Sequence, residues 1–238
     1  MELKGQNFLK GVRDGIPICL GYIAVSFAFG IQAVQLGLTV FQATLLSLVN
    51  VTSAGQFAGL GVISSGGSLF EMAGTQFVIN LRYMLMSAAI SQKLENTVKT
   101  IPRLTIGYGM TDEIFAVSAG RPGNLSPFYS YGCIVISVAG WTLGTFLGAY
   151  CGQILPDRII SALGVALYGM FIAIVLPVAV VDKRVLVVSL SAVLLSSIFE
   201  FMPIFNVVSA GFRIIIVTVV VAGTAAFVVP VDEVEKDE

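Results

Sequence analysis

An all-α, polytopic membrane bundle is what the sequence predicts, with about seven to eight apolar segments and at least one of them broken or re-entrant. Three observations predict it. Hydrophobic residues fill 56% of the 238 positions and charged residues only 11%, with a mean hydropathy of +0.93. An ordinary soluble domain carries roughly 25% charged residues, so this chain cannot present a normally wetted surface. Charge-free runs extend from Gly15 to Phe70, Pro122 to Pro156, Ile159 to Val181 and Ile214 to Val231, and a bilayer crossing needs ~20 apolar helical residues. The ~10-residue alternating segments of a membrane barrel are absent.

Residues 1–13, with Lys4, Lys10 and Arg13, read as an amphipathic cytoplasmic leader without a cleavage pattern. The segments that follow are Ile16–Gly37, Phe41–Ile63, Leu69–Ser91, Leu104–Ala119, Phe128–Leu155, Ile159–Val181, Val185–Met202 and Phe212–Val229. Prolines 17, 102, 122, 127, 156, 203 and 230 fall at or near these limits, where a missing N–H is tolerated. Pro177 is expected to kink the sixth segment. Residues 231–238 form an acidic tail. No interior linker is long or polar enough to divide the chain, so residues 1–238 are expected to form one transmembrane permease domain. No internal repeat is evident by eye. With eight full crossings, and Arg82 left aside, Lys and Arg divide seven inside to five outside. If the second and third segments together cross once, the division is eight to four, which favours a broken pair.

The net charge of -1 offers no basic surface for nucleic acid. Histidine is missing altogether, which excludes His metal sites, triads and proton relays. Cys19, Cys133 and Cys151 are scattered through apolar runs without CxxC spacing, and neither HExxH nor GxSxG occurs. Metal, cofactor and enzymatic chemistry are therefore not expected.

The informative residues are polar ones in apolar segments. The second segment contains Asn50-Val51-Thr52-Ser53-Ala54-Gly55-Gln56-Phe57-Ala58-Gly59. It reads either as tight packing through Gly55 and Gly59 or as an unwound centre whose N–H groups bind an anion. In the third segment, helical periodicity puts Glu71, Thr75 and Arg82 on one face and Gln76, Asn80 and Ser87 on another. Arg82 is too deep to snorkel easily and must meet a carboxylate, carbonyls or water. It is either one half of an interhelical ion pair or a clamp for a substrate carboxylate. Thr111-Asp112-Glu113 interrupts the fourth segment. The acids either exchange protons in a transport cycle, or Asp112 caps a helix at the membrane edge. Glu200 reads as interfacial. Gly140, Gly144, Gly148 and Gly152 share one helix face and read as a helix-packing surface whose partner is open.

These residues make the chain resemble the AzlC family of branched-chain amino acid permeases. The likeness rests on GIPICLGYIAVSFAFG at Gly15–Gly30, SAGQFAGLG at Ser53–Gly61, NLRYML at Asn80–Leu85, TDEIF at Thr111–Phe115 and GWTLGTFLGA at Gly140–Ala149, in order along almost the whole chain. Where the family commonly has Pro and Gly, this chain has Ala24 and Ser26; where it often has Phe-Ala, this chain has Thr52 and Ser53.

The resemblance implies an inner-membrane exporter subunit for leucine, isoleucine, valine and sometimes methionine, paired with a small hydrophobic AzlD-type protein. On that reading the substrate contacts are Ser53, Gly55, Gln56, Asn80, Arg82, Thr111, Asp112 and Glu113, and the two acids couple transport to protons. An ion or small-solute channel and a non-transporting membrane scaffold are the alternatives that the same polar residues would serve.

Overall fold

The computed structural model describes residues 2–95, 97–152, 156, 158, 172, 175–176, 179–205 and 207–228. Every regular element among them is helical. In chain order these are α1 (Glu2–Gln35), α2 (Val40–Val49), α3 (Ser53–Ser64), α4 (Leu69–Lys93), α5 (Thr100–Tyr108), α6 (Asp112–Ala119), α7 (Pro127–Cys151), α8 (Lys183–Phe201) and α9 (Ala210–Val228), with a 3-10 turn at Pro203–Phe205. By length and composition α1, α7, α8 and α9 can each cross a membrane, as the predicted bundle requires. Most of the sixth segment with Pro177, and the acidic tail, lie outside the described residues.

The structure moves one expected boundary, places the expected broken helix and divides a further segment. The leader and first segment are one helix of 34 residues that continues through Pro17; at 1.5 Å per residue it is about 51 Å long, well beyond a ~30 Å hydrocarbon core. The second segment is two helices, α2 and α3, parted at 50–52, while the third is continuous. The fourth segment is also two helices, α5 and α6, parted at 109–111. The sequence left this second break open as the helix-cap reading of Asp112, against an apolar run that continues through Ile114–Val117.

The two breaks belong to a repeat. Helices α2, α3 and α4 have 10, 12 and 25 residues; α5, α6 and α7 have 9, 8 and 25. A three-residue break precedes the middle helix each time. Each middle helix is followed by a turn with a glycine in the left-handed region, Gly66 at φ 66° and Gly123 at φ 70°, where a side chain would be strained.

The described chain forms two compact units. The first comprises Met1–Leu60 and Asn80–Leu167, and its frame is α1 lying against α7. A Cβ on Gly140 would strike Cys19, on Gly144 Ile23 and Ser26, and on Gly148 Phe27, while one on Gly152 would press tightly on Val34 and Ile31. The partner of the predicted glycine stripe is therefore α1 of the same chain. The contact is reciprocal: Gly11, Gly15 and Gly30 of α1 meet Tyr129, Cys133 and Thr145 of α7 just as closely. Backbones without Cβ atoms approach and gain dispersion contacts that bulkier helices lose. At one end, Asp14 pairs with Arg121 at 3.0 Å and accepts from the Tyr129 hydroxyl at 3.0 Å.

Helix C-termini explain the placement of Lys93 and Arg103. Lys93 donates to the carbonyls of Ala119 and Arg121 beyond α6. Arg103 donates to the carbonyls of Ser91, Glu95 and Val98 around the end of α4. Both satisfy acceptors that a terminating helix leaves open.

The second unit comprises Gly61–Ile79 and Tyr168–Glu238. Here α8 packs on α9 through the 3-10 turn, held by Arg213, which pairs with Glu200 at 2.9 Å and donates to the carbonyls of Phe205 and Val208. Glu71, 4% exposed, accepts from the Ser209 hydroxyl and from the Gly211 N–H at 2.8 Å. It therefore serves the start of α9, whose N–H groups attract an anion. Glu71 does not join the Arg82 site: periodicity names a face of α4 but not the neighbour at each level.

Candidate functional site

Each break leaves backbone groups without helical partners, and the surrounding side chains answer them differently. At the first break Thr52 starts α3, its hydroxyl accepting the Gly55 N–H at 3.3 Å and its carbonyl the Gln56 N–H at 2.8 Å. The Gln56 side chain donates to the carbonyls of Leu46, at 3.2 Å, and Asn50. Its oxygen accepts the Trp141 indole N–H at 2.9 Å and the Ser47 hydroxyl at 3.4 Å, and Ser47 also bonds Thr145 at 2.7 Å. Gln56, 1% exposed, is thus committed to closing the break. Ser53 and Gly55 occupy the first turn of α3.

At the second break Thr111 caps α6, accepting the Ile114 N–H at 3.4 Å. Asp112 and Glu113 form the first turn of α6, where negative charge is favoured. The cap is therefore Thr111, one residue before the acid that the sequence pointed to. The Tyr22 hydroxyl lies 2.7 Å from Thr111 Oγ1 and 2.5 Å from Glu113 Oε2.

Both breaks open onto one cavity of about 580 Å³. Helix α4 supplies Asn80, Tyr83, Met84, Ser87, Ala88 and Ser91, a single face at i, i+3, i+4, i+7, i+8 and i+11. The first break supplies Asn50–Thr52 and the second region Gly107, Tyr108 and Met110. Thr52 donates to Asn80 Oδ1 at 2.7 Å, Ser87 to the Gly107 carbonyl at 3.2 Å, and Tyr108 to the Val49 carbonyl. Hydroxyls and an amide therefore alternate with Val49, Val51, Met84 and Leu104 around the wall.

Arg82 meets a carboxylate, as its depth in α4 required: Arg82 and Asp112 pair at 2.9 Å, with side chains 44% and 40% exposed. Arg82 also donates to the Tyr83 hydroxyl at 3.0 Å and lies 4.8 Å from the centre of that ring. Among the described residues the cavity wall includes Asn80 and Tyr83 but neither Arg82 nor the two acids; Tyr83 is the link between wall and ion pair. Of the sequence candidates, Arg82 and Asp112 come together, as do Thr111 and Glu113 around Tyr22. Tyr22, Thr52, Tyr83 and Ser87 complete the arrangement. Polarity inside a charge-free span was the signal for the first two, and spacing from Asn80 for the others.

A protein of Archaeoglobus fulgidus titled an uncharacterized membrane protein is 34% identical over 73% of this chain and 77% of its own length. The inner membrane protein YgaZ of Escherichia coli is 27% identical over 71% of this chain and 72% of its own. A membrane protein of Helicobacter pylori is 26% identical over 62% and 67%. No solved structure matches the chain. The AzlC protein family matches residues 17–155, a stretch that contains both breaks, the cavity, α7 and the part of α1 from Pro17 onward. The chain is therefore a membrane protein of the AzlC family.

Proposed function

We propose that the protein is the large subunit of a proton-linked exporter of branched-chain, small aliphatic amino acids, acting with a small hydrophobic AzlD-type membrane partner. The observation that carries this reading is the cavity between the two breaks. Its size of about 580 Å³ suits a small-molecule site, which typically occupies ~300–1,000 Å³, and its wall mixes aliphatic side chains with a few hydrogen-bonding groups. An aliphatic amino acid is a zwitterion with an apolar tail. The Arg82–Asp112 pair adjoining the cavity through Tyr83 offers its two ends separate partners. The guanidinium fork matches a carboxylate, and Asp112 or Glu113 matches an ammonium group. A zwitterion entering between Arg82 and Asp112 replaces one charge contact by two, while Asn80, Thr52 and the backbone around Ser53 and Gly55 hold its polar end. Asp112 and Glu113 are the groups able to exchange a proton in the cycle. Location in the inner membrane follows the E. coli relative, named an inner membrane protein, and the leader charges favour a cytoplasmic N-terminus.

Counterflow of radiolabelled leucine in proteoliposomes carrying the chain and its co-purified small partner tests the reading. Arg82→Gln and Asp112→Asn are each expected to lower the rate by about tenfold or more, the loss of one charged contact to the bound substrate. Wild-type rates in both variants would remove the site assignment. Single-channel currents without counterflow would establish the channel instead.

A further inference from the structure

A contiguous set of buried side chains joins the two breaks through α1 and α7. A phenol has one hydrogen; the Glu113 carboxylate takes it, which leaves the Tyr22 oxygen to accept from the Thr111 hydroxyl. The Tyr22 ring meets Trp141 edge-on, centroids 5.3 Å apart at 80°. Trp141 donates to Gln56, and Gln56 holds the carbonyls of Leu46 and Asn50 where α2 stops. Tyr22, Trp141 and Gln56 are all buried. Glu113, at the end of the set, is exposed, so its carboxylate can meet a proton or a ligand ammonium. Among the described residues the charged neighbour of Glu113 is Asp112 on its own helix, which is itself paired with Arg82 of α4.

We propose that Tyr22, Trp141 and Gln56 are positioning residues that transmit the charge state of Glu113 at the second break to the backbone of Asn50–Thr52 at the first, and so set the shape of the cavity wall. The physical reason is that no link has slack. A hydrogen bond to a carboxylate is about twice as strong as one between neutral groups, so a neutral Glu113 weakens its hold on the Tyr22 hydroxyl. The ring then turns, its edge contact with Trp141 changes, and the indole N–H moves off Gln56. In a dry interior an unmade bond is costly, so the Gln56 amide reorients and releases the carbonyls of Leu46 and of the wall residue Asn50. This rests on the transport reading for its purpose, since it gives the proton-linked step a route to the substrate, but not for its geometry.

The experiment reads the first break directly. Val51→Cys places a thiol in the cavity wall of the full-length protein in lipid nanodiscs. Its alkylation by N-ethylmaleimide is followed by peptide mass spectrometry, which scores Cys19, Cys133 and Cys151 separately. Glu113→Gln and Tyr22→Phe are each expected to change the rate at position 51 by about threefold or more, the low end of coupling within one network. The double variant should match a single variant, not the product of the two. Ser197→Ala, on α8, should leave the rate within about twofold. Glu113→Gln keeps size and hydrogen-bonding capacity, so a merely structural Tyr22 predicts no change in that variant. An unchanged rate in Glu113→Gln protein that melts like the wild type overturns the proposal, as does multiplicative behaviour of the double variant. Should Tyr22→Phe not fold, Glu113→Gln decides alone. Because no leucine is used, a chain that fails the counterflow assay can still pass this one.

Discussion

The two helix breaks share a design and differ in chemistry. Each is three residues long, and each hands its following helix a threonine cap. The first break is neutral and closed by an amide: Gln56 occupies two carbonyls on one side and an indole and a hydroxyl on the other. The second carries two acids in its first turn and reaches outward to Arg82 and inward to Tyr22. Offsetting the chain by 59 residues superposes Thr52 on Thr111, Ser53 on Asp112, Ala54 on Glu113 and Gln56 on Phe115. At the matching positions the first break carries neutral residues and the amide that seals the backbone, and the second carries two acids and a phenylalanine. The comparison teaches that a break can be sealed by an amide or edged with charge depending on the first turn of the helix that follows.

Four changes would break or sharpen this contrast. The largest stability effect is expected for Gln56→Leu, which strands an indole N–H and two carbonyls in the interior at a cost of about 2–4 kcal/mol. Phe115→Leu at the repeat-equivalent position should cost under about 1.5 kcal/mol. Both are read from denaturant melts of the single tryptophan's emission. Next, reversing Arg82→Asp together with Asp112→Arg should leave stability within about 1 kcal/mol, since the pair is half exposed, yet keep leucine counterflow near background. Recovery of transport would show that only the pairing matters. Smaller is the comparison of caps. Thr52→Ala and Thr111→Ala should each cost about 1 kcal/mol for the lost cap and about 0.5–1 kcal/mol more for the second bond, to Asn80 and to Tyr22 respectively. Melting shifts that differ by more than about 1 kcal/mol would deny the two caps their equivalence. The smallest concerns Ser53→Asp, which gives the first break an acid in its first turn. It should raise stability by about 0.3–1 kcal/mol while weakening leucine binding in a scintillation proximity assay; unaffected binding would mean that no carboxylate sits at α3.

How much of this was legible depends on what sort of signal carried it. The helical membrane class followed from composition, and the first break from a cluster of Asn, Thr, Ser, Gly and Gln that no lipid-facing helix would keep. The second break was legible only as one of two readings of Thr111-Asp112-Glu113. Its signal was local, Gly109 followed by a threonine and two acids, which is a helix start, and the apolar residues beyond masked it. The glycine stripe on α7 was readable, but its partner was not until Gly11, Gly15 and Gly30 of α1 were seen to answer it. Glu71 shares a face with Arg82 by periodicity and is nevertheless used by the start of α9, because a helical wheel has no axis along the helix. The repeat escaped notice because what it conserves is helix length, a cap and a left-handed glycine, and not side chains.

The interlocked glycines of α1 and α7 carry a mechanical consequence. Two rods notched into each other along their length can neither roll nor slide without first lifting apart by the width of a methyl group. Separation on that scale forfeits much of their mutual attraction. Motion in this half of the protein is therefore left to the short helices, each hung on three unwound residues. A trapped or cross-linked α1–α7 pair should leave the working cycle untouched, whereas a bolt across either joint should stop it.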